Sequence, residues 1–221
     1  MLLQLAGDVV LDTERAVALL ADYPPETLDA YDAGPSSGLD RVGPAEIGRL
    51  IVIEPLSQAV ARALVKAAAD APWHLVPADA RLADADPEGD LYWRAAELYG
   101  HFTRLHGVGD AIASKLLHLK RPAFFPILDA LIREAYDLGA QAAYEQGERC
   151  RRQLPHADRL YWAAIRADLV RPSNAPAFAD LREALLLSGE LHKQRLARVS
   201  DVRLMDMIVW RNRVGDGLSV P

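Results

Sequence analysis

Apolar residues along this chain recur mostly at helical spacing. "LSQAVARALVKAAADA" (56–71) is rich in alanine, places Val60, Leu64 and Ala67 on one face and stops before Pro72, so it predicts an amphipathic helix. "DLYWRAAELYGHFTRLH" (90–106) predicts another, with Asp90 as its cap and Leu91, Ala95, Leu98 and Phe102 at three- to four-residue intervals. "DRLYWAAIRADLV" (158–170), "FADLREALLLS" (178–188) and "SDVRLMDMIVWRNR" (200–213) follow the same rule, the last capped by Ser200 or Asp201. Only "RLIVIEPL" (49–56) is short and apolar enough to be a strand, and a buried helical turn accounts for it equally well. An all-α fold is expected.

The helices are separated by turn-forming stretches. "YPPETLDAYDAGPSSGLDRVGP" (23–44) is rich in Pro, Gly, Ser and Asp, and "PADARLADADPEGD" (77–90) is acidic and punctuated by Pro and Gly. A shorter break, "RPSNAP" (171–176), divides the C-terminal helices. The second stretch is the expected boundary between residues 1–90, an acidic helical segment with loops packed on the same domain, and residues 91–221. There is no internal repeat and no low-complexity tract.

Composition narrows the class. The 221 residues are 51% hydrophobic and 25% charged, as in an ordinary globular protein with a real core. The single cysteine, Cys150, excludes a disulfide framework, a four-cysteine zinc site and a four-cysteine iron–sulfur cluster, and suits a reducing cytoplasm. The apolar N-terminus carries Asp8, Asp12 and Glu14 and no preceding basic residue, so a secretory leader is not expected. No apolar run approaches the ~20 residues of a membrane span, so no membrane partner is expected. The net charge of −6 is unevenly spread: residues 1–90 hold 6 basic against 16 acidic side chains, and residues 91–221 hold 19 against 15. The acidic total therefore leaves phosphate binding open in the second part.

That part contains "HGVGDAIASKLLHLKRPAFFPILD" (106–129). Gly107-Val108-Gly109 stands between two helical segments, where glycine can take positive φ and turn the chain within few residues. The N–H groups opening the second helix lack helical acceptors and lie at the positive end of its dipole, which suits a phosphate. Lys115, Lys120 and Arg121 are expected to add positive charge nearby. The alternative is a plain turn. Pro126 makes "AFFPIL" non-helical, and "ALIREAYDL" then reads as a helix closed by Gly139 at C′. Asp129 falls at its N-cap, a position typically worth ~1 kcal/mol. Taken alone, Asp129 is either a structural cap or a rigidly aimed catalytic carboxylate, and the two roles are compatible.

In combination, "LHGVGDAIASKLLHLKRPAFFPILDALIREAYDLG" resembles the core of the helix-hairpin-helix DNA glycosylases, over residues 98–139 or about a fifth of the chain. In that superfamily a Leu-Pro-Gly-Val-Gly hairpin leads into a helix with a Thr-Ala pair, and a catalytic Asp follows at a near-constant interval. Here Gly107 and Asp129 are 22 positions apart, Ile112-Ala113 occupies the Thr-Ala place, and "FPILD" is similar to the adenine-glycosylase branch's approach to its Asp. The resemblance implies a helix-hairpin-helix DNA-glycosylase-like helical domain at residues 91–221 and double-stranded DNA as partner. It implies that Gly107, Val108, Gly109 and Ala111, with Lys115, Lys120 and Arg121, hold the DNA backbone, often with a monovalent cation on the hairpin carbonyls. It also implies that the flipped nucleotide lies near Asp129.

The chain departs from the family at His106, where Pro is usual, and at Ala111, where lyase-competent members carry the Schiff-base Lys. A monofunctional DNA glycosylase is therefore implied, one that releases a damaged or mispaired base and leaves the strand intact, with no resident cofactor and no iron–sulfur cluster. Asp129 would stabilise the oxocarbenium-like sugar and orient the water. "KLLHLKRPAFFPILD" and "RLMDMIVW" (203–210) are also similar to bacterial proteins of unknown function. Two other readings stay open: a non-catalytic helix-hairpin-helix DNA-binding protein in which Asp129 is only a cap, and a protein-interaction domain.

No metal site is expected from the six histidines. His101 and His106 stand at i, i+5, which is poor spacing for one helix face, and no carboxylate pattern completes a set. Tyr92-Trp93, Tyr161-Trp162 and Trp210 suit either a core or a platform for a flipped base. Cys150 lies in "ERCRRQ" (148–153), which reads as a solvated basic face able to follow a phosphate backbone.

Overall fold

A computed structural model of the chain describes residues 1–34, 36–149 and 158–215. It is predominantly helical. Strands β1 (Leu2–Leu5) and β2 (Val9–Asp12) precede α1 (Thr13–Ala21), α2 (Pro25–Thr27), a π-helical turn (Leu28–Asp32), α3 (Pro44–Ile53) and α4 (Gln58–Ala69). After a 3-10 turn (Trp73–Leu75) come α5 (Asp90–Thr103), α6 (Asp110–Lys120), α7 (Ala130–Arg149), α8 (Asp158–Leu169), α9 (Asn174–Leu187), α10 (Leu191–Leu196) and α11 (Asp201–Gly215). Among the described residues, no helix is long and apolar enough to cross a membrane.

The chain forms two compact units. One is continuous, Pro25–Leu128; the other joins Met1–Pro24 to the residues from Asp129 onward. This differs from the expected division near residue 90, because the acidic stretch 77–90 lies inside the continuous unit. Leu82 N donates to Ala123 O at 2.9 Å there, and Leu82 is fully buried, so the stretch is part of that unit's packing rather than a linker.

Pro25–Leu128 is built around α5 and α6. Ala95, Leu98 and Phe102 are buried on α5 as their spacing predicts, Leu91 is only half-buried, and Tyr92 and Tyr99 are buried beside them. Their rings meet Phe124 and Phe125 (Tyr92–Phe124 6.2 Å, Tyr99–Phe125 6.4 Å) and Trp73 (Trp73–Phe102 5.5 Å). Tyr92 is thus a core residue, whereas Trp93 is exposed. α5 begins one residue earlier than a capping Asp90 would require: Gly89 is the N-cap, and Asp90 pairs instead with Arg94 at 2.5 Å. "RLIVI" closes α3 as a helix, which settles the strand-or-helix alternative for that stretch.

In the other unit the strand pair is a hairpin, with Leu2 opposite Asp12 and Leu5 opposite Val9. Its inner face buries Leu3, Leu5, Val9 and Leu11. Asn174 at the start of α9 both accepts from Gln4 N (2.9 Å) and donates to Gln4 O (2.7 Å), tying β1 to that helix. α11 buries Val202 and Leu204 to Val209, and Ser200 is its cap, its Oγ accepting from Arg203 N at 3.1 Å. Trp162 is buried on α8, while the Arg133 guanidinium lies 4.9 Å over the Tyr161 ring.

α7 does not end at Gly139. It continues ten residues further, to Arg149, because Gly139 is a close-packing residue rather than a C-cap. A Cβ there would stand 3.0 Å from the Ala164 Cβ of α8.

Candidate functional site

The hairpin between α5 and α6 is a tight turn of defined geometry. Val108 N donates to Leu105 O at 3.0 Å, and Gly107, the third residue of that turn, has φ +79°. An i to i+3 bond with positive φ at the third position is the type II pattern, which favours glycine there. Val108 is buried and anchors the turn, while Gly107 and Gly109 are exposed. Tyr99 Oη donates to Asp110 O at 3.0 Å and so holds α6 to α5.

Gly109 is the N-cap of α6, and nothing lies within 4 Å of where its Cβ would be. The first helical bond of α6 runs from Ala113 N to Gly109 O at 3.0 Å. The N–H groups of Asp110, Ala111 and Ile112 precede it and so have no helical acceptor. The glycine cap has no side chain to supply one. Asp110 is exposed in this first turn and offsets part of the positive potential.

The three cations expected beside the hairpin are turned inside the unit. Lys115 Nζ lies 2.6 Å from Glu54 Oε2 and donates to Ile53 O at 3.3 Å, at the C-terminal end of α3. Lys120 Nζ lies 2.5 Å from Glu46 Oε1 and donates to Gly38 O at 2.8 Å. Arg121 donates to Val76 O (2.7 Å), Leu39 O (2.9 Å) and Trp73 O (3.3 Å), and pairs with Asp40 at 2.7 Å. All three are buried. This corrects the expectation that they present charge to a phosphate: each holds a loop or a helix end.

Glu46 shows how firmly. Burial would raise its carboxyl, but hydrogen bonds from Lys120, Gly43 N and Ser37 bring it down to about 2. The same burial lowers Lys120, against the raising effect of Glu46.

Asp129 opens α7 as the spacing predicts. Its Oδ1 accepts from Ile132 N at 2.9 Å and its carbonyl accepts from Arg133 N at 3.0 Å. The side chain is half-buried. The preceding arm, 122–128, is buried from Phe124 to Leu128 and belongs to the hairpin's unit, and the other unit resumes at Asp129.

The family model for a family of unknown function, DUF6308, matches residues 51–213, about three quarters of the chain. The chain belongs to the DUF6308 family. The matched DUF6308 region contains the hairpin, the arm and Asp129, and it includes Lys120 but not its partner Glu46. No curated protein and no solved structure matches the chain.

Of the residues singled out from the DUF6308 sequence, Gly107 and Val108 lie in the turn, Gly109 caps α6, and Ala111 is half-exposed on the first turn of α6. Arg104, the C-cap of α5, and His106 are exposed on the same hairpin. Arg104 was legible only as the last residue before the turn. His101 Nε2 is taken up by Ala67 O at 2.8 Å. No group of three metal-ligating side chains occurs among the described residues. Cys150 and the basic run around it lie outside the described residues beyond Arg149.

Proposed function

We propose that this DUF6308 protein is a monofunctional DNA glycosylase-like hydrolase. The observation that carries the reading is the hairpin: a type II turn leads into a helix whose first N–H groups have no helical acceptor, and its capping glycine is open to close approach. Such a start suits a DNA phosphate. Asp129 is the second part of the reading, a carboxylate oriented by its own helix.

Water adds across the N-glycosidic bond. The bond between C1′ and the base nitrogen breaks, the base leaves with the electron pair and takes up a proton, and the water oxygen ends on C1′. Asp129 stabilises the positive charge that builds on the sugar and accepts the proton of the attacking water. The base must first leave the stack, which costs a few kcal/mol and favours damaged or mispaired bases. Ala111 carries no amine, so the strand stays intact. Base release from lesion-bearing duplexes tests the reading.

One observation favours a second reading, a DNA-binding protein without chemistry. Asp129 Oδ1 is already engaged as a cap, and the basic side chains of α6 are engaged internally. Salt-sensitive duplex binding without base release from any lesion supports that reading.

A further inference from the structure

The polarity of α3 is inverted. On a surface helix the charged residues ordinarily face water and the apolar ones the core. Here both charged residues of the helix are buried. Glu46 meets Lys120, and Arg49 donates from Nε to Tyr31 O at 2.7 Å and from Nη2 to Asp32 O at 3.1 Å. The opposite face carries Pro44, Gly48, Ile51 and Val52, continued by Pro55 just past the helix, and all five are exposed. Spaced i, i+4, i+7, i+8 and i+11, they form one stripe. Ile51 is 55% and Val52 43% exposed, so no described residue covers them.

Gly48 lies in the middle of this stripe. Glycine weakens a helix interior, and the fold of the unit gives no reason for one here. Its φ is outside the left-handed region, and nothing lies within 4 Å of where its Cβ would be. What a glycine permits at such a place is the close approach of a backbone from outside.

The two ends of the stripe carry opposite charges. Arg41 stands seven residues before Gly48 and Glu54 six residues after it. Arg41 is exposed and has no ion-pair partner among the described residues, while Glu54 is partly exposed and gives one of its two oxygens to Lys115.

We propose that the α3 stripe is the interface with a second copy of this chain, two α3 helices packing antiparallel across a two-fold axis at Gly48. A two-fold contact requires a self-complementary patch. Reversal about Gly48 brings the Arg41 end of one helix to the Glu54 end of the other, so opposite charges meet at both ends. It also lays Pro44 beside the partner's Ile51 and Val52. A ten-residue helix is about 15 Å long. One such contact falls short of the ~800 Å² per partner of a standard interface, so the dimer is a weak one. The inference stands apart from the reading of Asp129.

Sedimentation equilibrium of the full-length protein from about 5 to 500 µM tests it. The wild-type protein should pass from monomer towards dimer across that range, and less readily in about 1 M salt, which screens the end charges. Ile51→Glu should stay monomeric throughout. Gly48→Gln should do the same while melting at a higher temperature than wild type, because the open site accepts a side chain and glutamine favours the helix. That pairing of outcomes separates a lost interface from a damaged fold. Arg41→Glu should weaken association severalfold, and Leu138→Glu, at an exposed leucine outside α3, should leave it unchanged. A wild-type protein still monomeric at the top of the range overturns the proposal and leaves the face to a partner of another kind. A dimer that persists in both Ile51→Glu and Gly48→Gln overturns it as well.

Discussion

Lys120 Nζ and Glu46 Oε1 stand 2.5 Å apart, and both side chains are shut away from solvent. Glu46 also accepts from Gly43 N (2.8 Å), Ser37 N (2.7 Å) and Ser36 Oγ (3.1 Å), so one carboxylate gathers the stretch before α3 onto the end of α6. Removing one partner leaves the other charge buried without compensation, which typically costs about 3–5 kcal/mol. Lys120→Met should therefore lower stability by that order in urea unfolding. Glu46→Gln combined with Lys120→Met removes both charges and keeps an acceptor for the Gly43 and Ser37 N–H groups, so it should recover part of the loss.

The same pair makes stability depend on acid. The Glu46 carboxyl sits at about 2 in the folded protein against an ordinary 4.5. The folded state thus binds this proton more weakly than the unfolded state. The stabilisation is complete above pH ~4.5 and declines as pH falls towards 2, a contribution of about 3 kcal/mol. Urea unfolding between pH 6 and 2 should show a fall for the wild-type protein that is visibly smaller in Glu46→Gln.

The two hairpin glycines should separate fold from binding. Gly107 has φ +79°, and a Cβ would meet Val60 Cγ2 at 3.0 Å, so Gly107→Ala should destabilise by about 1–2 kcal/mol. Gly109 has φ −84° and open space, so Gly109→Ala should leave stability within about 1 kcal/mol. Under the proposed function, in which a phosphate approaches the open glycine cap, that methyl should weaken duplex binding severalfold. Thermal melts and fluorescence anisotropy at low salt read the two effects.

The charges that face solvent should govern DNA affinity, and the buried ones should not. Arg104→Glu is expected to weaken binding and flatten its salt dependence, whereas Lys115→Met should change stability and leave the salt slope as it was. A flattened slope in Lys115→Met together with an unchanged one in Arg104→Glu contradicts this assignment.

Local signals were readable in the sequence where the residue itself determines the outcome. The spacing of Ala95, Leu98 and Phe102 gives the buried face of α5, and Asp129 after Pro126 gives an N-cap, because both depend on near neighbours. Partner choice depends on distant ones. Lys120 meets a carboxylate 74 positions away and Arg121 meets carbonyls 45 to 82 positions away, so the basic look of "HLKRP" says nothing of where its charge points. Gly139 was misread for the same reason, since Ala164 makes it a packing residue. The β1–β2 hairpin was present as an alternation of Leu3, Leu5, Val9 and Leu11, overshadowed by the helical period elsewhere.

The central claim is base release that depends on Asp129. Labelled duplexes carrying uracil, alkylated purines, 8-oxoguanine or mispaired adenine are incubated with the protein, and abasic sites are read by hot-alkali cleavage, with Asp129→Asn in parallel. The account predicts release from at least one lesion, strands intact before alkali, and loss of release in Asp129→Asn with duplex affinity retained. Silence across the panel with salt-sensitive binding intact, or release that survives Asp129→Asn, would contradict it.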